Sequence, residues 1–179
     1  MRPQNAFSYI EIILTIACLS LLVAAVIPDW QQYRSANRLL QAAETLAQDL
    51  RSARSLALIH NTPYFIYYDN ADESWCYLLT THSDCHCLAP SPEPACLPGV
   101  ATITPPVSAD DFPGIYLTEA LFGTQALASF EPIRGTARFG HLLLEDNYRH
   151  RLQINVSRLG RIRICHPQDS IRTGSYPAC

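Results

Sequence analysis

The chain has 179 residues, of which 48% are hydrophobic, and its formal net charge is −3 at pH 7. This length and composition are typical of one globular domain with a hydrophobic core and argue against two independent domains. All 13 basic residues are arginine; eight lie in residues 133–179 beside three acidic residues, whereas residues 60–132 contain nine acidic residues and no arginine. The average charge therefore conceals a basic C-terminal quarter, whose guanidinium groups suit phosphate or carboxylate.

The N-terminal region contains a long apolar run. Residues 12–27 read "IILTIACLSLLVAAVI" and include two polar residues, Thr15 and Ser20. Residues 7–28 are long enough to span a bilayer as a helix. The alternative is a secretory signal peptide, whose apolar region would be shorter and would end at a small-x-small cleavage site. A carboxylate near the end of such a run, here Glu11, is costly in hydrocarbon and indicates a functional partner.

The stretch "AFSYIE", followed by the apolar run to "VIPDW", resembles the type IV prepilin signature. The resemblance implies a leader of residues 1–6, cleavage between Ala6 and Phe7 by a prepilin peptidase, and methylation of Phe7; Ala6 stands where glycine is usual. It makes Glu11 the fifth residue of the mature chain, neutralised in a pilus by a neighbour's terminal ammonium. Residues 7–28 would anchor the chain in the bacterial inner membrane with the C-terminal domain in the periplasm, and later pack with other pilins in a pilus at the cell surface.

The chain after Pro28 has the pattern of an amphipathic helix over residues 29–62. Pro63 disfavours helix at the residue before it, so the helix is expected to fade near His60. Apolar residues recur at steps of three and four and predict one face on a core: Tyr33, Ala36, Leu39, Leu40, Ala43, Leu46, Leu50, Ala53 and Ala57. Charged residues lie largely off this stripe and are interpreted as a solvated face: Arg34, Arg38, Glu44, Asp49 and Arg51.

Residues 63–179 have the pattern of a β-rich domain. "YFIYYD" (64–69) and "SWCYLLTT" (74–81) predict a hairpin around "NADE". The proline-rich, acidic residues 83–113 predict an irregular loop, after which "GIYL", "ASFEPI", "TARFGHLLLED" and "HRLQINV" predict further short strands. The expected class is α+β, with a long N-terminal transmembrane and amphipathic helix packed on an antiparallel β-sheet domain of pilin type.

Six of the seven cysteines lie beyond the apolar run that contains Cys18. An even number in this position indicates three disulfides in an oxidising compartment, and Cys165 with Cys179 is the preferred pair. The pairing of the others stays open. Zinc is the weaker alternative, because "HSDCHC" has C-x-C spacing without a second C-x-x-C, and no metal is expected. The disulfide candidates are Cys76, Cys85, Cys87, Cys96, Cys165 and Cys179.

The segment "RLQINVSRLGRIRIC" (151–165) predicts a hairpin with an arginine-bearing outer face. Apolar residues alternate with polar ones on both sides of Gly160, which supplies the positive φ of a short connection. Arg161 and Arg163 then project on one side, about 6.6 Å apart, the length of two strand rises, opposite the polar Ser157 and Asn155. Such a surface suits a polyanion without base readout. Alternatively, these arginines balance the acidic middle of the chain or pair with carboxylates of a partner subunit.

Two segments resemble the FimT/GspH branch of the pilin superfamily: "QDLRSARSLALIHNTPY" (48–64) and "LGRIRIC" (159–165). FimT-like members with a GRxR tail are DNA-binding minor pilins of natural transformation, so the resemblance implies sequence-independent binding of double-stranded DNA. The implied contacts are Gly160, Arg161 and Arg163, and the candidate helpers are Arg151, Arg158 and Arg172. A Cys165–Cys179 bond would hold the tail that carries Arg172 against the domain.

Two other functions are compatible with the same sequence features. A GspH-like pseudopilin of a type II secretion system and a minor pilin that only primes assembly or adheres are the alternatives. The chain has no G-x-S-x-G, H-E-x-x-H or P-loop spacing, so neither enzymatic activity nor a cofactor is expected.

Overall fold

The computed structural model describes residues 9–71, 74–82, 85–88, 105–123 and 127–179, without the side chains of residues 24–29. The chain divides into two compact units, Met1–Arg34 and Ser35–Cys179. Every buried hydrophobic side chain of the described residues lies in the second unit. Residues 35–179 therefore contain their own core and are expected to fold without the preceding residues.

Helix α1 extends over Tyr9–His60. It ends where the sequence predicted, because Asn61 adopts a left-handed φ of 51° just before Pro63. A left-handed residue directly after a helix is a common way to terminate it.

In the first unit, apolar side chains of α1 such as Ile10, Leu14 and Leu22 are exposed, and Glu11 lies in the first turn. Among the residues that the structure describes, no helix is long and apolar enough to cross a membrane. Ala6 and Phe7 lie outside the described residues. The leader, the cleavage position and the membrane anchor of residues 7–28 stay predictions.

In the second unit, α1 buries a face built of leucines and alanines. Ala36 and Leu40 of the predicted stripe are half-buried, and Tyr33, in the first unit, is exposed. Each alanine ends at Cβ and each leucine fills more space, so the two residue types together form a dry face against the core. The buried positions are Leu39, Ala42, Ala43, Leu46, Ala47, Leu50, Ala53 and Ala57.

Two antiparallel four-stranded sheets cover this helix face. The first has the order β3-β2-β1-β5 and the second the order β4-β6-β7-β8. Their buried side chains form one core cluster with the helix, so the predicted α+β class is confirmed, with two sheets. The strands are β1 Tyr64–Ala71, β2 Ser74–Thr80, β3 Val107–Ser108, β4 Ile115–Leu121, β5 Leu127–Phe130, β6 Gly140–Asp146, β7 Arg151–Val156 and β8 Ile162–Cys165.

Three strand predictions need correction. Strand β3 pairs with β2 within the segment predicted as an irregular loop, of which residues 83–84 and 89–104 lie outside the described part. Strand β5 ends at Phe130, two residues before Pro132, which cannot donate a ladder hydrogen bond. Strand β6 begins at Gly140, and the preceding residues make a single bridge through Ala137.

The disulfides confirm the preferred pair. Cys165 is bonded to Cys179 and Cys76 to Cys87. Cys85 is disulfide-bonded as well, whereas Cys96 lies outside the described residues. Because Cys85 and Cys87 are oxidised, they supply no thiolates for the alternative zinc site.

The Cys165–Cys179 bond joins the C-terminal tail (residues 166–179) to the end of β8. His166 N–H donates to Pro177 O at 2.8 Å, and Cys179 N–H donates to His166 O at 2.9 Å. The tail also contacts helix α1, where the Tyr176 hydroxyl donates to Glu44 Oε1 at 2.6 Å. Burial and this hydrogen bond raise the pKa of Tyr176 to about 12. The tail is thus held to the domain as predicted.

The carboxylate of Asp146 connects α1 to the turn between β6 and β7. It accepts hydrogen bonds from the backbone N–H of Tyr148 and His150 at 2.9 Å, from His150 Nδ1 at 2.7 Å, and from Ser35 on the helix. Burial favours the neutral acid and raises the pKa of Asp146, but these hydrogen bonds more than offset burial and lower the pKa overall.

The hydrogen bonds to Asp146 predict acid sensitivity. A carboxyl whose folded pKa is lowered stabilises the fold above its unfolded pKa of 3.8, and this contribution is lost as the pH falls through the folded value. Asp146→Asn in residues 35–179 should lower the free energy of unfolding by about 2 kcal/mol at neutral pH. It should also flatten the decline between about pH 5 and pH 2 in urea denaturation. Asp169→Asn, an exposed tail position, serves as the control; an unchanged acid profile in Asp146→Asn would contradict the assignment.

Candidate nucleic-acid interface

The predicted β7–β8 hairpin is present in the second sheet. Val156 pairs with Ile162, and Asn155 pairs with Arg163. The apolar side chains of the two strands turn inward, whereas Arg161 and Arg163 are exposed. The two arginines therefore project from one face, as the alternation of residue types predicted.

The connection between β7 and β8 requires a glycine. Gly160 has a φ of +71° and donates its N–H to Ser157 O at 2.9 Å. Ser157 Oγ accepts the backbone N–H of Arg161 at 3.1 Å. The positive φ predicted for Gly160 is thus observed, and the Ser157 hydroxyl stabilises the turn.

Gly160 also packs directly against helix α1. A Cβ added to Gly160 would collide with the carbonyl oxygen of Gly135 and lie 2.6 Å from Arg54 Nε. Arg54 Nε in turn donates to Gly135 O at 3.0 Å. The hairpin turn, the loop at Gly135 and the helix therefore meet at Arg54, with no space for a side chain on Gly160.

A groove of about 1220 Å³ lies beside this junction; we refer to it as the arginine groove. Four arginines line it, Arg51 and Arg54 from α1 and Arg161 and Arg163 from the hairpin. No carboxylate is among its lining residues within the described part of the chain. Glu119 lies just outside the lining, 3.3 Å from His141 Nε2. The four arginines still give the groove a net positive charge, in contrast to the chain as a whole.

A row of paired residues crosses all four strands of the second sheet along the arginine groove, and its two middle members, His141 and Asn155, form the floor. Leu121 pairs with His141, His141 with Asn155, and Asn155 with Arg163. The half-buried Asn155 amide donates one N–H to Cys165 Sγ at 3.1 Å and accepts from Gln153 at 2.7 Å. These bonds orient the amide, and its second N–H can be offered to a ligand.

Exposed apolar side chains form part of the groove walls. Phe139 is 53% exposed and Leu159 is 76% exposed, and both line the groove. The guanidinium carbon of Arg158 lies 5.0 Å from the centroid of the Phe139 ring, within cation–π range. Arg158 thus lies beside the arginine groove and holds one of its walls.

The other candidate helpers lie outside the groove lining. Arg151 forms a two-pronged ion pair with Glu145, at 2.9 Å from Nε and 3.2 Å from Nη2. The hydrogen bond and the negative charge of Glu145 raise the pKa of Arg151. Arg172 is exposed in the C-terminal tail. Of the candidate helpers, Arg151 is thus already paired to a carboxylate.

Arg51 and Arg54 were not predicted as part of this surface, and Arg51 was interpreted as belonging to a solvated face. A signal was present in "LRSAR", because residues three apart lie on one side of a helix. Sequence alone does not say which strand that side meets, since Arg54 and Gly135 are 81 positions apart.

The helix on two antiparallel sheets is the architecture expected of a pilin-like subunit. The sequence model of the family described as Type II transport protein GspH matches residues 42–160. This span exceeds half of the chain, and the chain belongs to the GspH family. The resemblance to the FimT/GspH branch is thereby confirmed, and the protein is a minor pilin or pseudopilin of the type IV pilus or type II secretion family.

One solved structure resembles the chain. The crystal structure of the type IV minor pilin FimU from Pseudomonas aeruginosa (strain PAO1) is 19% identical, covers 79% of this chain and 93% of its own, and gives a TM-score of 0.46. No curated protein sequence matches the chain. The family match ends at Gly160, so Arg161, Arg163 and the tail lie beyond it.

The crowding at Gly160 predicts a strong effect of Gly160→Ala. The substitution adds about 1–2 kcal/mol of backbone strain at positive φ and a collision worth about 1–3 kcal/mol more. Gly123→Ala is a matched control, because Gly123 has a φ of +69° but its added Cβ would have its nearest neighbour at 3.9 Å. Thermal and urea unfolding of residues 35–179 should show a clearly larger loss of stability for Gly160→Ala. Equal losses would rule out the crowding.

Proposed function

We propose that the protein is a FimT-like minor type IV pilin that binds extracellular double-stranded DNA, without sequence preference, for uptake in natural transformation. The observation that carries the proposal is the arginine groove, where Arg161 and Arg163 are exposed on a surface whose described lining residues include no carboxylate. Guanidinium groups bind phosphate oxygens with two N–H donors each. The groove thus suits a chain of phosphates.

The expected mode of binding is electrostatic capture. A protein that neutralises phosphates releases condensed counterions, so its affinity falls steeply with salt. The β7–β8 hairpin presents arginines and a short turn, with no helix for the major groove, so contacts to the phosphates dominate over contacts to base edges. The activity requires neither catalysis nor a cofactor.

The N-terminal region serves assembly in this proposal. A prepilin peptidase would cleave after Ala6, and the helix from Phe7 would anchor the subunit in the bacterial inner membrane until it enters a pilus. Glu11, in the first turn of α1, would pair with the terminal ammonium of a neighbouring pilin. The DNA-binding domain would then be displayed at the cell surface.

A second candidate function is a GspH-like pseudopilin of a type II secretion system. The exposed apolar side chains of Phe139 and Leu159 favour it, because solvent-exposed apolar groups in a groove are typical of protein docking. In that case the arginine groove would contact another pseudopilin or the exported protein. A minor pilin that only primes assembly or adheres is the remaining alternative.

Fluorescence anisotropy with unrelated double-stranded DNAs tests the proposal on oxidised residues 35–179. The wild type should bind all sequences similarly, with a steep salt dependence. Arg161→Gln/Arg163→Gln should weaken binding of every sequence and reduce the slope of log K against log[salt] by about 1.8, because each phosphate that the protein neutralises contributes about 0.9 to that slope.

Arg38→Gln/Arg149→Gln is the matched control, since it removes the same charge from two residues outside the groove lining. Circular dichroism should show that all variants are folded. Absence of DNA binding at low salt, or equal effects of the two double variants, would refute DNA capture and favour the pseudopilin.

A further inference from the structure

We propose that Arg51 and Arg54 of helix α1 form a second wall of DNA contacts, so that the arginine groove holds one sugar–phosphate strand of a duplex between the helix and the β7–β8 hairpin. This inference rests on the proposed DNA binding and adds two contacts that the GRxR resemblance does not include. It also changes the expected interface from a flat row of arginines on one sheet to a two-sided groove.

Arg51 and Arg54 form a like-charge pair on helix α1 that no acidic neighbour on the helix compensates. The two residues are three apart, so their like charges lie on the same side of α1. The positions three and four residues away from either hold Ala47, Gln48, Leu50, Ser55, Ala57 and Leu58, none of which is acidic. Helical partners therefore do not compensate the repulsion, and local conflicts of this kind are expected at functional sites.

The acidic residues on this part of the helix, Asp49 and Glu44, accept hydrogen bonds from tyrosine hydroxyls. Asp49 accepts a hydrogen bond from the Tyr77 hydroxyl at 2.7 Å. Glu44 accepts one from Tyr176 at 2.6 Å and lies seven residues before Arg51, about 10 Å along the helix axis. Within the described part of the chain, Arg51 makes no ion pair that would neutralise it.

Arg54 is held in place before any ligand binds. Its Nε donates to Gly135 O, and its side chain packs on Gly160, the turn that precedes Arg161. This contact fixes the spacing between the helix wall and the hairpin wall. Little side-chain freedom then has to be given up on binding, which favours affinity.

The two walls are comparable in spacing. Arg161 and Arg163 lie two strand rises apart, about 6.6 Å, and Cβ atoms three residues apart on a helix lie about 5–6 Å from each other. Between the walls, the floor holds Asn155 and His141, and the sides carry Phe139 and Leu159. A sugar–phosphate strand combines anionic oxygens with apolar deoxyribose carbons, so both kinds of lining have a partner on it.

The test variant is Arg51→Gln, because the Arg51 side chain is exposed whereas Arg54 supports the turn. The control is Arg38→Gln, on the same helix 13 residues earlier, about 20 Å along the axis. In anisotropy titrations of residues 35–179 with duplex oligonucleotides, Arg51→Gln should weaken binding about fivefold at low salt and lower the salt slope by about 0.9. Arg38→Gln should change both little, since exposed charges beyond about 10 Å are screened.

Two further variants separate a direct contact from a structural effect. Arg51→Lys keeps the charge and should retain most of the affinity. Arg51→Glu should weaken binding more than Arg51→Gln. The melting temperature of Arg51→Gln should not fall, because the substitution relieves a like-charge pair.

These titrations distinguish a failure of the second wall from a failure of DNA binding itself. If the wild type binds DNA through Arg161 and Arg163 but Arg51→Gln binds equally well, the second wall is refuted and DNA capture stands. If the wild type does not bind DNA, both fail. Tighter binding of poly-glutamate than of duplex DNA, abolished in Arg51→Gln, would overturn the assignment to a sugar–phosphate strand and identify a site for an acidic polypeptide.

Discussion

The burial of a helix face built of alanines and leucines against two sheets is the constraint on which the rest of the domain depends. Ala43, Ala47, Ala53 and Ala57 are fully buried, with leucines of the same face, in the cluster that the helix shares with both sheets. With this face buried, the remaining side of α1 has to meet solvent or the rims of the sheets. Arg51 and Arg54 lie on that side, so core packing determines where their charges are presented.

Gly160 connects the packing of the helix to the position of the surface arginines. The turn it makes is pressed against Arg54 and Gly135, so the position of the hairpin tip depends on how closely the helix packs. Arg161 and Arg163 follow directly after that turn. The same contact that restricts residue 160 to glycine therefore sets the distance between the arginines of the helix and those of the strand, and a change in either element would alter the arginine groove.

Local sequence patterns predicted the individual helices, strands and turns of this protein better than the contacts between them. The end of α1, the β1–β2 and β7–β8 hairpins and the Cys165–Cys179 bond follow from periodicity, turn residues and cysteine position, all of which act over short stretches. The ion pair of Arg151 could not be predicted, because it depends on the strand register that places Glu145 opposite Arg151. The position of Arg51 and Arg54 at the groove was not predicted for the same reason, because Gly135, which Arg54 contacts, lies 81 residues away.

The net charge of the whole chain and the charge of the arginine groove have opposite signs. A net charge of −3 would repel a polyanion at long range, so capture depends on contacts within about 10 Å, the distance over which charges act at moderate salt. At that range, the four arginines of the groove outnumber the carboxylate that the structure places beside its lining, Glu119, which lies 3.3 Å from His141 Nε2. A protein partner with a few carboxylates would exploit the same short-range field, but it would not need arginines on both walls. The two-sided arrangement is therefore the feature that favours a continuous chain of phosphates over an isolated acidic patch.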